Sequence, residues 1–160
     1  MISVRLICVG KLKEKFYVSA CSEYCKRLMP YARVDVQEIA EERMPDDPSP
    51  AEMAQCLKKE GQAILRAIVP GSFVTALCIE GTLCSSEALA REIDRRAVSG
   101  VSKFAFIIGG SCGLSDAVKE RADLRLSMSP MTFPHHLARV MLLEQLYRAF
   151  QISGGGKYHK

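Results

Sequence analysis

The 160-residue sequence lacks long hydrophobic runs and any regular spacing of cysteines. No stretch approaches the roughly 18 apolar residues that a membrane-spanning helix requires, and the apolar run at the N-terminus is too short for a signal peptide. Its seven cysteines are scattered without a C-x-x-C pair, which indicates neither a zinc site nor a disulfide framework. We therefore expect a cytoplasmic protein with reduced thiols, no bound metal and no membrane contact.

Standard nucleotide-binding motifs and interdomain linkers are also missing. Gly109-Gly-Ser-Cys-Gly113 is not G-x-G-x-x-G, and no Lys-Ser or Lys-Thr pair completes a phosphate-binding loop. The chain has no low-complexity segment and no internal repeat, and its 25% charged and 48% hydrophobic residues are typical of a globular domain. The sequence predicts a single domain spanning residues 1–160, which is neither a conventional dinucleotide-binding protein nor an NTPase.

The charge is unevenly distributed along the chain. Residues 1–37 hold seven Lys or Arg against three acids, residues 38–60 hold three against seven, and residues 133–160 hold four against one. Both ends are therefore basic and a middle segment is acidic. Phosphate contacts supply most of the nonspecific affinity for nucleic acids, so this pattern favours an RNA or DNA partner.

Strand-like and helix-like periodicities alternate along the sequence. The predicted strands span residues 3–9, 33–39, 73–79, 103–108 and 124–127. The predicted helices span residues 13–28, 50–68 and 86–99, followed by a short helix after Ser115 and a last helix that Pro134 begins. Ser49-Pro50-Ala51-Glu52 is a capping box with proline at the first helical position. This βα repeat predicts an α/β fold with a mostly parallel sheet and helices on both faces.

Three of the predicted strands end in glycine-rich or loop-forming segments. These are Ile79-Glu-Gly81, Ile108-Gly-Gly110 and residues 127–133. Ligands bind beyond the carboxyl ends of the strands in such sheets, and glycine lets the backbone approach a ligand closely because it has no Cβ. The three segments together predict a nucleotide-like ligand held by main-chain groups.

One alternative is a small α/β hydrolase. Gly109-Gly-Ser-Cys-Gly113 matches G-x-S-x-G between a strand and a helix, the pattern of a nucleophile elbow. Ser111 is then the nucleophile, with an acid and a base later in the chain. The candidates for these two roles are Asp116 or Asp123 and His135 or His136. Against this hypothesis, five strands in 160 residues make a smaller sheet than that fold normally has.

Several ordered motifs carry a resemblance to a known family. They are Val9-Gly-Lys-Leu-Lys13, Ile108-Gly-Gly-Ser111, Ser129-Pro-Met-Thr-Phe-Pro-His135, Glu144-Gln-Leu-Tyr-Arg-Ala-Phe150 and the terminal Tyr158-His-Lys160. With these motifs the whole chain resembles the bacterial ribosomal large-subunit methyltransferase H family, which belongs to the SPOUT class. The resemblance implies methyl transfer from S-adenosylmethionine to N3 of a pseudouridine in 23S ribosomal RNA.

The resemblance also implies a C-terminal trefoil knot, an exception to the rule that chains do not thread loops. In this family the methyl donor lies in the knot and is contacted mainly by backbone. The corresponding positions here are Leu77, Gly109, Gly110, Met128, Ser129, Pro130, Met131, Thr132 and Phe133. This implied cofactor edge coincides with the ligand edge predicted from the strand ends.

The implied reaction requires little covalent help from the protein. A sulfonium methyl group is already activated, so the enzyme has to align donor and acceptor and stabilise or generate the anionic imide at N3. The side chains suited to this work are Arg139, Arg148, Tyr158 and His159. His159 is a candidate base because its reference pKa near 6.5 leaves much of it neutral at pH 7. The two arginines can equally pair with Glu144 or with phosphates.

The last helix and the tail predict which partners the chain binds. Apolar residues from Leu137 to Phe150 cover more than one stripe of the helix, whereas one stripe suffices for an ordinary surface helix. This pattern suggests a homodimer, which the family also implies, with the tail of one subunit completing the pocket of the other. A lone domain without an added RNA module has to recognise a composite surface, so we expect the assembled ribosome as partner.

The chain departs from the family pattern at two places. Cys112 stands where family members usually have Asn, and Gly154-Gly-Gly156 stands where they have a basic residue followed by one glycine. The glycines are expected to loosen the arm that carries Tyr158 and His159 and to remove a phosphate contact. If these changes abolish turnover, the alternative is a noncatalytic RNA-binding module.

Overall fold

The fold alternates strands and helices from one end of the chain to the other. A computed structural model describes residues 1–160. The strands are β1 Ile2–Val9, β2 Ala32–Ile39, β3 Phe73–Leu83, β4 Lys103–Ile108 and β5 Leu124–Ser127. The helices are α1 Lys15–Leu28, α2 Pro50–Ala67, α3 Ser86–Val98, α4 Asp116–Arg121 and α5 His135–Ser153.

The five strands form one sheet in the order β2-β1-β4-β3-β5. Every neighbouring pair is parallel, which confirms the predicted α/β fold. After β1 the chain moves toward one edge of the sheet, to β2, and after β4 it moves toward the other edge, to β5. The segments that follow β3, β4 and β5 lie at the carboxyl edge of the sheet, where ligands of such folds bind. The implied trefoil knot stays a prediction.

Helices cover both faces of the sheet, because alternate residues of each strand point in opposite directions. Leu6 and Phe106 pack beneath α1, α3 and α5. Ile7 and Ile107, one residue further along the same strands, face α2 and α4. Two separate hydrophobic cores result, and they hold the strand ends rigidly beside one another.

The last helix, α5, is the middle helix of its layer and packs against both α1 and α3. Its residues Leu142, Leu143 and Leu146 are fully buried within the chain. The apolar sides of α5 are therefore largely covered by its own neighbours. The homodimer was predicted from the broad apolar surface of α5. Packing within one subunit explains much of that surface.

The predicted capping box is present. Ser49 Oγ accepts a hydrogen bond from the backbone of Glu52, and the Glu52 carboxylate accepts one from the backbone of Ser49, both at 3.2 Å. Each bond satisfies a backbone N–H that the first turn leaves free. Helix α2 accordingly begins at Pro50, as predicted.

Strand β3 is longer than predicted. It continues past Ile79 to Leu83, with a register irregularity between Leu77 and Thr82 where it pairs with β5. A Cβ at Gly81 would lie 2.7 Å from the backbone carbon of Leu126. Gly81 thus permits contact between two strands, and the expected ligand-facing turn at this glycine is wrong.

The glycines after α5 form an ordered helix end. The backbone N–H of Gly156 donates to Gln151 O at 2.8 Å, and that of Gly155 donates to Ile152 O at 3.2 Å. These are the two bonds of a Schellman motif, in which Gly155 takes the left-handed conformation with φ +68°. The expectation that Gly154–Gly156 loosen the arm is therefore wrong, because two of these glycines anchor it.

Candidate functional site

A cavity of about 770 Å³ opens at the carboxyl edge of the sheet. Its walls are the ends of β3 and β4, the turn at residues 109–113 and the segment 127–133, which we call the donor loop. The cofactor positions implied by the resemblance that line the cavity are Leu77, Gly109, Gly110, Met128, Ser129, Met131, Thr132 and Phe133. Pro130 belongs to the same loop but does not line the cavity.

The turn after β4 contains three glycines among the five residues with which it lines the cavity. A Cβ at Gly109 would lie 2.5 Å from Gly113 O and 2.7 Å from its carbonyl carbon. Gly110 and Gly113 form an antiparallel bridge, and Gly113 has φ +79°. Glycine is required at Gly109 by this close approach and favoured at Gly113 by its conformation. The turn is therefore compact, and three of its five residues add no side chain to the cavity wall.

Sequence reasoning missed an ion pair at the edge of the cavity. The ammonium of Lys119 contacts the carboxylate of Glu80, and both residues line the cavity. The hydrogen bond from Lys119 lowers the pKa of Glu80. The only sequence signal was position, since Glu80 lies near the carboxyl end of β3 and Lys119 in the helix after the β4 turn. A site with both charges offers partners to a ligand that itself carries both charges.

The tail residues Tyr158 and His159 gather with Arg148 around two carboxylates, and we call this group the tail cluster. Glu144 Oε1 accepts hydrogen bonds from Tyr158 Oη at 3.0 Å and from Arg148 Nε at 3.0 Å. Arg148 Nη1 lies 3.2 Å from His159 Nδ1, and His159 Nε2 lies 2.7 Å from Glu87 Oε1. The structure therefore brings together three of the four residues that the sequence suggested for catalysis.

The tail cluster has defined protonation states. Burial, together with the neighbouring Glu144, raises the pKa of Tyr158 to about 12, so its phenol stays protonated and acts as a hydrogen-bond donor. Burial opposes ionisation of Glu144, but the hydrogen bonds from Arg148, Tyr158 and Gln145 and the positive charge of Arg148 together outweigh it and lower the pKa of this carboxylate. The cluster thus combines a phenol donor, a guanidinium cation and an ionised carboxylate at neutral pH.

The ring of His159 is fixed in one tautomer by its neighbours. A guanidinium can only donate hydrogen bonds, so Nδ1, which faces Arg148, is the acceptor. The proton of the neutral ring is then on Nε2, which donates to Glu87. In this docked position neither ring nitrogen has a free lone pair, and His159 serves as a base only after the tail shifts.

Arg139 lies apart from the tail cluster. It precedes Arg148 by nine residues on α5, a distance of about 13 Å along the helix axis. Its side chain is only 3% exposed and donates to Glu38 Oε2 at 2.8 Å and to Gly10 O at 3.0 Å. Arg139 therefore ties α5 to the carboxyl ends of β1 and β2, and any catalytic role for it stays a prediction.

The match to a protein family covers almost the whole chain. The family described as predicted SPOUT methyltransferase matches residues 2–159. The chain belongs to the SPOUT methyltransferase family. Two solved structures share the fold: a probable methylase family protein from Haemophilus influenzae, with 15% identity over 98% of this chain and 70% of that one and a TM-score of 0.53, and a probable methyltransferase from Bordetella pertussis, with 18% identity over 91% and 95% and a TM-score of 0.57.

Curated relatives of this SPOUT methyltransferase align from end to end. The protein named ribosomal RNA large subunit methyltransferase H from Moorella thermoacetica is 49% identical over 160 residues, which is all of both chains. The proteins of the same name from Carboxydothermus hydrogenoformans and Bacillus pumilus are each 50% identical over 159 residues, covering 99% of this chain and all of the relative. The resemblance found in the sequence motifs is confirmed.

The side chains proposed for a hydrolase do not form a catalytic triad in this SPOUT fold. Ser111 Oγ contacts Glu41 Oε1 at 3.4 Å rather than a histidine. Asp123 accepts a hydrogen bond from the backbone of Val74 at 2.8 Å, near the opposite end of β3. His135 lines the cavity, but it has no acid partner to orient it as a base. The G-x-S-x-G segment is therefore a turn without a catalytic triad. Membership of the SPOUT methyltransferase family does not favour a hydrolase.

Cys112, which stands at a family Asn position, lines the cavity of this SPOUT methyltransferase. Its Sγ lies 3.8 Å from Met44 Sδ, so the position packs against a thioether instead of donating a conventional hydrogen bond. The structure contains no group of three or more His, Cys, Asp or Glu side chains arranged to hold a metal ion. None of its helices is both long and apolar enough to cross a bilayer.

Proposed function

We propose that this chain transfers the methyl group of S-adenosylmethionine to N3 of a pseudouridine in 23S ribosomal RNA of the assembled ribosome. The observation that carries the proposal is a glycine-lined cavity at the carboxyl edge of a SPOUT fold that also carries a cluster of a guanidinium, a phenol and an imidazole. The relatives named ribosomal RNA large subunit methyltransferase H, matched over their full length, support the choice of RNA as substrate.

The residues around the cavity fit S-adenosylmethionine. Its volume of about 770 Å³ lies within the range of small-molecule sites. Leu77, Leu114 and Phe133 offer apolar surfaces for an adenine ring, and the glycine turn offers main-chain groups at its edge. Glu80 and Lys119 would bind the oppositely charged groups of the amino-acid moiety. When bound, the donor supplies an activated sulfonium methyl group.

The tail cluster supplies the electrostatics that the acceptor needs. Loss of the N3 proton leaves a negative charge on the imide, and hydrogen-bond donors that are already oriented stabilise such a charge without reorganising. Arg148 is a donor of this kind, because its guanidinium keeps N–H groups beyond those given to Glu144 and His159. The single O–H of Tyr158 is donated to Glu144, so Tyr158 has to exchange this partner before it can donate to the acceptor base. His159 would accept a proton only after exchanging its contacts with Arg148 and Glu87 for the acceptor base. Binding of the RNA is the event that we expect to drive this exchange.

Exposed lysines provide contacts for the RNA. Lys13 and Lys15 lie at the start of α1, while Lys157 and Lys160 lie in the tail, and all four are exposed and form no salt bridge. Lysines free of protein carboxylates can bind phosphates and release counterions. Lys157 and Lys160 lie on the same tail as Tyr158 and His159, which favours an RNA approach from the side of the tail.

We further propose that the functional unit is a cytoplasmic homodimer of one knotted domain per chain. Large apolar side chains remain exposed beside the cavity of about 770 Å³, which we call the donor cavity, and on α1. They include Met131 at 73%, Phe16 at 66% and Ile79 at 64% exposure. Exposed apolar residues of this size favour contact with another protein surface. Light scattering at micromolar concentration should report about twice the chain mass of 17.7 kDa. A monomer with full activity contradicts the dimer.

Labelled methyl transfer tests the proposed function directly. The purified chain is incubated with methyl-labelled S-adenosylmethionine and either assembled ribosomes or protein-free 23S RNA, and the nucleosides are separated by chromatography and mass spectrometry. We expect label in N3-methylpseudouridine from ribosomes and little from free RNA. Label in another nucleoside overturns the choice of acceptor. Binding of donor and ribosome without any transfer supports the noncatalytic RNA-binding module instead.

A further inference from the structure

Glu60, on helix α2, is the only acidic residue that is buried in this structure. It is 4% exposed and forms no salt bridge. Burial raises the pKa of Glu60, and a hydrogen bond from the backbone of Glu42 acts in the opposite direction. A buried carboxylate without a neighbouring cation costs stability, so its presence indicates a role other than stabilising the fold.

Glu60 fixes the segment that joins β2 to α2. Its Oε2 accepts a hydrogen bond from the backbone N–H of Glu42 at 3.0 Å. Between Ile39 and Pro50 the chain forms neither a helix nor a strand, and such connecting segments are usually more mobile than the elements they join. The bond to Glu60 therefore sets the position of the residues on either side of Glu42.

Segment 41–44 contacts the turn at residues 109–113, which we call the β4 turn. Glu41 Oε1 lies 3.4 Å from Ser111 Oγ, and Met44 Sδ lies 3.8 Å from Cys112 Sγ. Ser111 and Cys112 line the donor cavity, whereas Glu41 and Met44 do not. The segment thus supports one wall of the donor cavity from outside the cavity, and a shift of the segment changes the shape of that wall.

The next residue of α2 contacts the chain just beyond the β4 turn. A Cβ at Gly61 would lie 3.2 Å from the Cβ of Ser115 and still closer to its hydroxyl oxygen, so only glycine allows α2 to approach this serine. Ser115 caps α4, because its Oγ accepts a hydrogen bond from the backbone of Val118 at 3.3 Å. Two consecutive residues of α2 therefore restrain the β4 turn, Glu60 through segment 41–44 and Gly61 at the exit of the turn.

Resting on the proposed function, we propose that Glu60 is a positioning residue for the methyl donor, because it holds segment 41–44 against the β4 turn. Glu60 does not line the donor cavity, so it acts through the turn. The bond to Glu42 requires an acceptor oxygen and no charge. Helix α2 and the tail cluster lie on opposite faces of the sheet, so Glu60 controls donor binding separately from the groups that act on the acceptor base.

The test compares Glu60→Leu with Glu60→Gln in the full chain. Glu60→Leu removes the acceptor, so we expect the Kd for S-adenosylmethionine, measured by calorimetry, and its KM to rise about tenfold, while kcat on ribosomes at saturating donor stays unchanged. Its unfolding temperature should stay close to that of the wild type, because a buried charge is removed together with the bond. Glu60→Gln keeps an acceptor oxygen and should bind the donor as the wild type does. Glu120→Leu, the same change at an exposed position of α4, is the control.

Two further measurements follow the same contacts. Met44→Ala removes the thioether beside Cys112 and should also weaken donor binding, and its effect should not add to that of Glu60→Leu, because both variants act through segment 41–44. Alkylation of Cys112 by iodoacetamide, located by peptide mass spectrometry, reports the mobility of the β4 turn without any donor. We expect faster alkylation in Glu60→Leu and the wild-type rate in Glu60→Gln.

The outcomes separate this inference from the proposed function. If the wild type does not bind S-adenosylmethionine, the proposed function fails, and equal alkylation of Cys112 in the wild type and Glu60→Leu overturns the inference as well. If the wild type binds the donor, the inference is overturned by wild-type affinity in Glu60→Leu or by an equal loss in Glu60→Gln. A loss of affinity accompanied by a lower kcat and a lower unfolding temperature assigns Glu60 a general structural role instead. If Glu60→Leu does not fold, wild-type donor affinity in Met44→Ala overturns the inference.

Discussion

The donor cavity and the tail cluster are constructed differently. The cavity wall at residues 109–113 contains three glycines, and its shape depends on one of them, Gly109, which leaves no room for a Cβ. The tail cluster consists of side chains that share one carboxylate, Glu144. Substitutions at the first region should therefore change donor affinity, whereas substitutions at the second should change methyl transfer.

Deleting residues 157–160 should give the largest effect. The deletion removes Tyr158 and His159, and positioned proton-transfer and hydrogen-bonding groups contribute on the order of 10²–10⁴ in rate. Transfer to ribosomes should fall by about that factor, while calorimetry should find donor affinity nearly unchanged. The double variant Lys157→Ala with Lys160→Ala keeps both tail side chains and should lose far less. If donor affinity falls together with transfer, the division between the two regions is wrong.

The fold and the two regions were predictable from the sequence to different degrees. Strands β4 and β5 have the predicted bounds, because β4 is a short apolar run and β5 a short alternating segment, each between clear turn signals. The donor edge was predictable because glycines after parallel strands collect at one edge of the sheet. The sequence did not separate Gly81, which packs against β5, from Gly109, which lies at the cavity, since both glycines follow a buried strand.

The tail cluster was only partly predictable, because side-chain partners depend on long-range packing. Motif similarity pointed to Tyr158, His159 and Arg148, but nothing in the local sequence indicated that Glu87, on another helix, pairs with His159. Arg139 lies on the same helix as Arg148 and carries the same charge. Arg139 nevertheless pairs with Glu38 on β2, whereas Arg148 pairs with Glu144 on its own helix. Only the position of each arginine in the fold distinguishes the two.

Gly109→Ala should have the next largest effect. It should lower the affinity for the methyl donor and leave the chemical step of methyl transfer unchanged. The added Cβ would lie 2.5 Å from Gly113 O, so the turn has to shift away from its present path. Overpacking of this kind costs about 1–3 kcal/mol, and we expect donor affinity to fall by roughly tenfold or more. Gly154→Ala, at a backbone φ of −85° and with its nearest contact at 3.3 Å, is the control. If Gly109→Ala binds the donor with the wild-type affinity, the turn at residues 109–113 is not part of the donor site.

The pH dependence of the tail contacts gives a finer test. The pKa of Glu144 is lowered from 4.5, so its contribution is present above pH 4.5 and is lost as the pH falls through the lowered value. The pKa of Tyr158 is raised from 10.0 to about 12, so its contribution is present below pH 10 and is lost as the pH rises toward 12. The tyrosinate absorbance of the wild type minus that of Tyr158→Phe should titrate near pH 12. A midpoint near 10 means that Tyr158 is solvated and the cluster is not formed.

The smallest expected effect concerns the glycines between α5 and the tail cluster. Gly154 has a φ of −85°, which any residue adopts, whereas Gly155 has a φ of +68°. Gly154→Arg keeps the Schellman motif and adds a positive charge near the exposed tail lysines, so ribosome methylation should rise a few-fold at low salt and return to the wild-type rate at high salt. The motif already orders this segment, and no gain from reduced chain entropy is expected.

Gly155→Arg adds the same charge one residue later and is the matched comparison. There the left-handed backbone costs a side chain about 1–2 kcal/mol, which outweighs one phosphate contact, so the rate should fall at both salt concentrations. Equal gains in the two variants would show that the charge alone matters and that the helix end does not hold the tail in place. A gain confined to Gly154→Arg that persists at high salt would instead assign the benefit to backbone ordering, which the observed hydrogen bonds of Gly155 and Gly156 argue against.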